Sequence, residues 1–283
     1  MSMFNSYQES GFYKMKKVIL TFFLLTLAAV LAACGNGDEN TQNESSEEKN
    51  GSVLDQIKEE GVLKVGTEGT YAPFTFHDES GKLTGFDVEV IEEVAKRMDV
   101  KVEFSETQWD AIFGGIDANR FHLIANQVGV TEERGEKYLF TEPYAEPSAV
   151  LITHKDLGDI QSIEDMKGRK AAQTLTSNWG KLAESQGAEI VKVEGFNESI
   201  QLVTSKRVDG TFNDELSAAV YMKEQPDAPL QIIEHPDYTI KTAFLMAKGN
   251  DELAEEINKI LKEMREDGTL SELSMKWFDT DVS

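Results

Sequence analysis

The amino-acid sequence predicts an α/β protein built from two successive units of mostly parallel strands flanked by helices. Segments with the two-residue period of strands alternate with segments with the 3.6-residue period of helices, and the alternation restarts at Ser162. Runs rich in polar and aromatic residues follow the predicted strands. Because parallel sheets bind ligands at the carboxyl ends of their strands, two such units facing each other would enclose a small polar ligand.

Hydrophobic periodicity predicts the elements of the first unit. In the helix over 87–98, Ile91, Val94, Ala95 and Met98 recur at i, i+3, i+4 and i+7. Thr131, followed by two glutamates, opens a further helix in the way that helix caps prefer. The predicted strands are 62–65, 101–104 and 122–125, and the predicted helices are 87–98, 110–116 and one that begins near Thr131.

The second unit repeats the alternation. A capped turn is predicted at 162–165, followed by strands at 170–174, 189–193, 208–212 and 230–233 and helices at 177–185, 197–205 and 214–222. A strand at 242–247 and a long amphipathic helix at 250–266 complete the prediction. The apolar face of that helix consists of Leu253, Ile257, Ile260, Leu261 and Met264.

Composition excludes several classes of function. The formal net charge of −23 over 283 residues argues against nucleic acid as the main partner, because such binding depends on Lys and Arg releasing counterions. One cysteine leaves no internal disulfide, CxxC pair or thiolate zinc site. The four histidines are scattered, no phosphate-binding glycine motif is present, and no serine stands in a nucleophile elbow, so we predict neither metal nor cofactor.

The N-terminal segment is predicted to be a secretory signal. Three lysines precede residues 18–33, which carry no charge, and Cys34 follows at once. Residues 31–34, LAAC, resemble the bacterial lipobox, in which the cysteine becomes the lipid-modified first residue. A free buried thiol at Cys34 is the alternative. Residues 1–14 are unlike the start of a signal, so Met15 is a candidate start.

Residues 34–52 are predicted to be a flexible tether, because their polar composition cannot bury enough apolar surface to fold. Removing residues 1–33, which carry three Lys and one Glu, changes the formal net charge from −23 to −25. Such self-repulsion favours a monomer. The sequence therefore predicts a folded domain anchored by lipid to the outer face of the cell membrane.

Candidate ligand-binding residues stand at the predicted strand ends. The first unit contributes Glu68, Tyr71, Phe74, Trp109, Asn126, Gln127, Val128 and Gly129, and the second contributes Thr176, Ser177, Asn178 and Asp214. Carboxylates suit an ammonium group, and amides and hydroxyls suit a carboxylate. Phe74 has an alternative place in the hydrophobic core, and Asp214 an alternative role as the cap of the following helix.

Arg134 is the candidate for binding a carboxylate. It lies one turn into the helix that begins near Thr131, where the helix dipole favours anions and an arginine gains nothing. That position makes sense if an anion comes to it, since Gly129 and the helix N-terminus offer uncovered amides beside a guanidinium that can bind carboxylates bidentately. The alternative is a surface ion pair with Glu132 or Glu133.

Short segments with a specific order and spacing extend over most of the chain. They are VGTEGTYAPF at 65–74, GFDVE at 85–89, Trp109-Asp110, TEER at 131–134, Phe140-Thr141, Tyr144, Asp209-Gly210 with Asp214, DGTL at 267–270 and KWF at 276–278. In these segments the sequence resembles, from about Leu63 to Val282, a known family, the polar amino-acid solute-binding proteins of bacterial ABC importers, or family 3 extracellular solute-binding proteins.

The resemblance implies a two-lobed, hinged periplasmic-binding-protein-like fold of class II that closes on one amino acid and delivers it to a permease and its ATPase. Lobe 1 would comprise 53–145 plus 241–283, and lobe 2 would comprise 146–240. By the same resemblance, Arg134 would bind the α-carboxylate of the ligand and Asp214 its α-ammonium. Asn126-Gln127 and 176–178 depart from the usual pattern, which puts backbone contacts to the carboxylate in doubt.

Segments at 68–71, 109–110 and 126–128 most resemble the branch that binds L-cystine. Cystine carries two amino-acid groups, so its second ammonium would need an acceptor, for which Glu68 is the candidate, with Asn126, Gln127 or Thr70 as donors to its second carboxylate. The alternatives are another polar or cationic amino acid such as arginine, a small dehydratase on the same fold, and a sensor that contacts a signalling protein.

Overall fold

The computed structural model describes residues 51–283. The predicted signal segment, Cys34 and all of the predicted tether except its last two residues lie outside the described residues. Ser52, which we assigned to the tether, caps the first helix instead: its side chain accepts a hydrogen bond from the Asp55 amide, and the Asp55 carboxylate accepts one from the Ser52 amide. This capping box starts helix α1, Val53–Glu60.

Lobe 1 is built on a five-stranded sheet with the order β5-β1-β6-β13-β7. Its strands are β1 (Val62–Thr67), β5 (Lys101–Glu106), β6 (Leu123–Ile124), β7 (Tyr138–Phe140) and β13 (Leu245–Ala247). A small antiparallel sheet follows β1 and consists of β2 (Thr70–Tyr71), β3 (Thr75–His77) and β4 (Leu83–Thr84). These last strands are too short to show a period, and the sequence analysis did not predict them.

Lobe 2 is built on a second five-stranded sheet with the order β10-β9-β11-β8-β12. Its strands are β8 (Ser148–His154), β9 (Lys170–Gln173), β10 (Glu189–Lys192), β11 (Gly210–Asp214) and β12 (Leu230–Thr239). In each sheet four strands share one direction, and the fifth, β13 or β8, is antiparallel to both of its neighbours. The α/β class with mostly parallel sheets is thereby confirmed.

Helices flank both sheets. In lobe 1 they are α2 (Phe86–Arg97), α3 (Trp109–Asp117), α4 (Glu132–Lys137), α8 (Asp251–Glu266) and α9 (Thr269–Phe278). In lobe 2 they are α5 (Asn178–Ser185), α6 (Phe196–Thr204) and α7 (Glu215–Glu224), with a 3-10 turn at Ile163–Met166. The predicted apolar faces of α2 and α8 are buried throughout, which confirms the helical period there. No helix within residues 51–283 is both long and apolar enough to cross a bilayer.

The chain crosses between the lobes twice, once between β7 and β8 and once between β12 and β13. The two crossings pair with each other: the Tyr144 amide donates to the Thr242 carbonyl at 2.9 Å, the Thr242 amide donates to the Ala145 carbonyl at 2.9 Å, and the Ile240 amide donates to the Pro147 carbonyl at 3.1 Å. Thr242 takes part in these bonds, and the amides of Ala243 and Phe244 donate to the Val128 carbonyl and to Thr141 Oγ1, so β13 begins at Leu245 and is shorter than the predicted strand. Our lobe boundaries at 145/146 and 240/241 fall within these crossings and stay predictions.

Candidate ligand-binding site

A cavity lies between the two lobes at the carboxyl ends of their strands, where the fold class predicts a ligand. Lobe 1 lines it with Glu68, Tyr71, Trp109, Asn126 and Gln127, and lobe 2 lines it with Gln173, Thr174, Ser177, Asn178, Trp179, Gly195, Phe196, Ser199 and Asn213. Seven of the candidates from the sequence are on this wall. They come from separate strand ends that only the fold brings together.

Glu68 and Asn126 hold each other through two hydrogen bonds. The Asn126 side-chain amide donates to the Glu68 carboxylate at 2.6 Å, and the Asn126 side-chain oxygen accepts from the Glu68 backbone amide at 2.7 Å. Burial raises the pKa of Glu68 from 4.5 to about 7, although the bonds from Asn126 and the Trp109 backbone oppose the shift. A cation arriving at this carboxylate would favour its charged form.

Four polar atoms on the cavity wall are buried without a hydrogen-bond partner among residues 51–283. They are Trp109 Nε1, Gln127 Nε2, Gln127 Oε1 and Asn178 Nδ2. Three are donors and one is an acceptor. Each buried polar group left unpaired costs roughly 1–3 kcal/mol, so a ligand that offers a carboxylate to these donors would recover that free energy. Together with Glu68, the wall suits a zwitterion.

A buried carboxylate behind the wall fixes the backbone of Gln127. Gln127 has a φ of 49°, in the left-handed region, and its amide donates to Asp87 Oδ2 at 2.6 Å. The Tyr144 hydroxyl donates to the same oxygen at 2.6 Å, while Asp87 Oδ1 has no partner among the described residues. Asp87 is completely buried, and burial raises its pKa from 3.8 to about 7. Asp87 thus links the cavity to Tyr144 at the crossing between the lobes.

Sequence reasoning missed this role of Asp87. We placed Asp87 only at the start of a helix and inside a family segment. In the structure it is the second residue of α2, where the helix dipole favours an anion. A carboxylate at a helix start within an apolar face is the signal that could have indicated its burial.

Arg134 is 8% exposed and forms no ion pair among the described residues. Its Nη1 donates to the Gly129 carbonyl at 2.8 Å and its Nη2 donates to the Thr176 carbonyl at 2.9 Å. The guanidinium lies 5.2 Å from the ring centroids of both Trp109 and Phe113. Burial lowers the pKa of Arg134 to about 10, so the group still carries its charge at neutral pH.

The alternative of a surface ion pair for Arg134 is wrong. Glu133 pairs with Lys181 of lobe 2 instead, and Glu132 is exposed. Arg134 does not itself line the cavity, but both of its carbonyl partners belong to segments that adjoin the wall. An arginine has five N–H groups, so two such bonds leave three available to an anion.

Asp214 takes the capping role that the sequence left open, and its binding of an ammonium group stays a prediction. Its Oδ1 accepts from the Ser217 amide at 2.7 Å and so caps α7. Its Oδ2 accepts from the Tyr71 hydroxyl, which also approaches Asn213 Oδ1 at 2.5 Å. Burial raises the pKa of Asp214 to about 6. Asp214 lies directly behind Tyr71 and Asn213 and not on the wall itself.

Four other candidates are also off the wall. Phe74 is completely buried in the lobe 1 core, with its ring centroid 5.2 Å from that of Tyr71, so its assignment to the cavity is corrected. Val128 is likewise fully buried, and Gly129 lies against Ile240 and Asn178. Thr176 is exposed and is hydrogen-bonded to lobe 1. Phe74 and Val128 pack into hydrophobic cores of lobe 1, and Thr176 bonds to Asp110 through its amide and its hydroxyl.

The candidates from the sequence did not include the lobe 2 residues Gln173, Thr174, Trp179, Gly195, Phe196, Ser199 and Asn213. Gln173 had a readable signal, because a glutamine that ends an apolar strand needs partners. It donates to Thr211 Oγ1 at 3.3 Å and to the Phe212 carbonyl at 3.2 Å. The other residues follow strand ends whose order in the sheet is invisible in one sequence.

Hydrogen bonds join the lobes around the cavity. Gln108 Nε2 donates to Glu194 Oε2 at 2.6 Å, and Asn197 Nδ2 donates to the Thr70 carbonyl at 3.3 Å. The Thr176 amide donates to Asp110 Oδ1 at 3.1 Å. The cleft is therefore closed by direct contacts on several sides.

The fold and the cleft define a two-lobed solute-binding protein. Residues 63–280 match the bacterial extracellular solute-binding proteins, family 3, and the chain belongs to this family. The family resemblance that the sequence indicated is confirmed. Among curated relatives, the L-cystine-binding protein TcyA of Bacillus subtilis is 48% identical over 270 residues, covering 95% of this chain and 100% of the relative.

Solved structures agree with this placement. The L-cystine solute receptor of Neisseria gonorrhoeae, in its unliganded open conformation, is 46% identical and covers 82% of this chain and 99% of its own, with a TM-score of 0.58. An ancestral arginine-binding protein bound to arginine is 37% identical and covers 77% of this chain and 98% of its own, with a TM-score of 0.73. The lower TM-score despite the higher identity fits lobes that are closed here and open in the receptor. These relatives are binding proteins, which confirms the prediction that this chain is a binding protein and not an enzyme.

We predict that Asp87→Asn changes how stability depends on pH. The folded pKa of about 7 exceeds the ordinary value of 3.8, so between these values the folded state holds a proton that the unfolded state releases. The contribution of Asp87 to the free energy of unfolding must then fall as pH rises through this window, by at most ~1.4 kcal/mol per pH unit. Urea unfolding across this range should show wild type losing stability relative to the variant.

The matched control for this experiment is Asp117→Asn, because Asp117 is an exposed aspartate of the same lobe. Its difference from wild type should vary little over the same pH range. A free-energy difference between wild type and Asp87→Asn that does not change with pH would contradict the burial argument.

Proposed function

We propose that this solute-binding protein is lipid-anchored at Cys34 and binds a polar amino acid, with L-cystine the favoured ligand, for delivery to an ABC permease and its ATPase. The observation that carries the ligand proposal is the set of unpartnered donors beside Glu68 in the closed cavity. The L-cystine-binding protein and the L-cystine solute receptor, at 48% and 46% identity, support the same choice.

The two ends of cystine fit two sets of groups. Arg134 and Asp214 would take the first carboxylate and ammonium, and both lie immediately behind the wall with their charges buried. Glu68 would accept from the second ammonium. Asn126, a donor candidate from the sequence, is already engaged with Glu68, and Thr70 is exposed and does not line the cavity. The second carboxylate is therefore assigned to Gln127 with Trp109 Nε1 and Asn178 Nδ2.

A hinge at the paired crossings, 141–147 and 240–244, would let the lobes part to admit the ligand. Backbone bonds between the crossings can persist while the sheets rotate, since few residues take up the change. The open conformation of the related cystine receptor supports such a motion. We therefore propose lobe 1 as 53–145 plus 241–283 and lobe 2 as 146–240.

A cationic amino acid is the second candidate ligand. A single acceptor carboxylate in the cavity, Glu68, would suit a cationic side chain such as that of arginine, and an arginine-bound ancestral protein is among the related structures. Against it stand the three unpartnered donors, because a guanidinium cannot accept hydrogen bonds from them.

We predict that Arg134→Ala loses cystine binding while the protein stays folded. Truncating one member of a buried charged contact costs ~2–5 kcal/mol, a loss of roughly 30- to several-thousand-fold in affinity. Isothermal calorimetry would measure the loss, circular dichroism would check the fold, and the exposed Arg207→Ala is the matched control. Affinity near that of wild type would show that the ligand carboxylate binds elsewhere.

We predict that Glu68→Gln weakens cystine binding and reduces its pH dependence. In wild type, affinity should fall as pH drops below about 7, because protonation removes the negative charge of Glu68 that attracts the ammonium. The variant should show a shallower profile from roughly pH 8 to pH 5.5, in which the remaining fall comes from Asp214, whose pKa is about 6. Glu106→Gln, an exposed glutamate on the neighbouring strand, is the control. Tight arginine binding by wild type that is lost in Glu68→Gln would overturn the cystine assignment and leave the importer assignment intact.

We predict that Cys34→Ser leaves ligand affinity unchanged but blocks processing or releases the protein from the membrane fraction. Anchoring and binding would be separate modules, since the site lies wholly within residues 68–214. Radiolabelled fatty acid and cell fractionation would measure this. Label on the variant, or unaltered membrane retention of the mature form, would contradict a lipid anchor at Cys34.

A further inference from the structure

Asp110 reaches across the cleft from the first turn of α3 to a loop of lobe 2. Its Oδ1 accepts from the Thr176 amide at 3.1 Å and from Thr176 Oγ1 at 2.9 Å, and its Oδ2 accepts from the Leu175 amide at 3.4 Å. Lys192 Nζ lies 3.7 Å from the same Oδ2. One carboxylate of lobe 1 thus engages two consecutive residues of lobe 2, and it does not line the cavity.

Thr176 is also held on its other side. Arg134 Nη2 donates to the Thr176 carbonyl at 2.9 Å. The Thr176 amide therefore donates to the anionic carboxylate of Asp110, and the Thr176 carbonyl accepts from the cationic guanidinium of Arg134. Both charged groups belong to lobe 1. Charge-assisted bonds of this kind are stronger than neutral ones.

The loop that Thr176 occupies forms part of the cavity wall. It runs from the end of β9 to the start of α5, and Thr174, Ser177 and Asn178 within it line the cavity. The loop is internally tied, because Ser177 Oγ donates to the Thr174 carbonyl at 3.2 Å and accepts from the Gly180 amide at 2.9 Å. Fixing Thr176 consequently fixes the position from which Asn178 Nδ2 meets the ligand.

Apart from the Arg134 bond, the other contacts between the lobes within residues 51–283 do not bind residues 174–176; the partly buried Tyr71–Asp214 bond, for example, joins other segments. Glu133–Lys181 and Lys223–Asp279 are exposed ion pairs, a kind that contributes little because water screens both charges. Gln108–Glu194 is a single exposed hydrogen bond. The Asp110 bonds are exposed as well, but one carboxylate combines three donors, two of them backbone amides, and α3 supplies a helix dipole that stabilises its charge with the lobes apart.

We infer that Asp110 is a positioning residue that captures Thr176 as the lobes close and holds the lobe 2 wall of the site in place. This inference rests on the proposed hinged function. Asp110 does not line the cavity, so it would contribute equally to every amino acid that the closed cleft holds. Its loss should raise the dissociation rate and leave the association rate nearly unchanged, because the bonds form after the ligand has entered.

A double-mutant cycle on Asp110→Ala and Thr176→Val tests this inference with L-cystine as the probe. Each single variant is expected to weaken binding, by roughly 10-fold or more for Asp110→Ala and roughly 3-fold or more for Thr176→Val. In the double variant, the Thr176→Val effect should shrink to under about 2-fold, because its partner is already gone. Calorimetry would give the affinities and stopped-flow fluorescence the two rates.

Asp117→Ala is the matched control, since Asp117 stands on the same helix and bonds to Tyr138 within lobe 1. It should leave the dissociation rate unchanged. A second readout separates positioning from ligand contact: Asp110→Ala should lower the affinity for L-cystine and for any weaker amino-acid ligand by the same factor. The inference would be overturned if the effects of Asp110→Ala and Thr176→Val on affinity were additive in the double variant. It would also be overturned if Asp110→Ala lowered the affinity for different amino acids by different factors.

The same cycle is run on chemical unfolding of the ligand-free protein. We expect no coupling between the two substitutions in the free energy of unfolding, because the bonds between Asp110 and Thr176 belong to the closed state. Coupling in unfolding but not in binding would overturn a ligand-linked role. Failure of the proposed function has a different signature: wild type itself would bind no amino acid, which would overturn the inference together with the function.

Discussion

Buried polar groups gathered without partners in a cleft between two lobes are the constraint on which the rest of the structure depends. Trp109, Gln127 and Asn178 place donors at the cavity where no described residue accepts from them. Closing the lobes removes these groups from water, at roughly 1–3 kcal/mol for each unpaired group. A zwitterionic ligand supplies the missing partners, so closure and binding become one linked equilibrium.

Buried charged groups of both signs also lie at the site. The folded domain is strongly acidic, yet the cavity adjoins the buried guanidinium of Arg134, which forms no ion pair within residues 51–283. Glu68 lines the same cavity and Asp214 bonds to Tyr71 of its wall, and burial raises the pKa values of these two carboxylates to about 7 and about 6. A site that holds both signs of charge in a partly dry space favours ligands that carry both signs.

Sequence reasoning predicted the elements that have a strong period and missed those that depend on the fold. The apolar faces of α2 and α8 were readable because each spans three turns or more. Strand β8 was missed because it is buried over nearly its whole length and therefore does not alternate. Helix α9 was recognised only as family segments. Ser52 was assigned to the tether because its capping partner, Asp55, lay beyond the polar stretch.

The site was predictable to the extent that strand ends mark it. Glu68, Asn126 and Gln127 could be named because polar residues directly follow strands. Phe74 could not be separated from the core, since an aromatic residue beside a turn suits either place. Asp87 and Asp110 could not be found as supports of the site, because their partners Gln127 and Thr176 lie 40 and 66 residues away along the chain. Only the packing of the two sheets brings such pairs together.

The measurement that tests the central claim most directly is a thermal-shift screen of the mature domain against the common amino acids, L-cystine and the single-ended S-methyl-L-cysteine. A ligand that binds only the folded state raises the unfolding midpoint, by an amount that grows with its concentration relative to its Kd. The account predicts the largest rise with L-cystine and a much smaller one with S-methyl-L-cysteine, which cannot reach both Arg134 and Glu68. An equal rise with the two compounds, or no rise with any amino acid, would contradict a closed cleft built for a two-ended zwitterion.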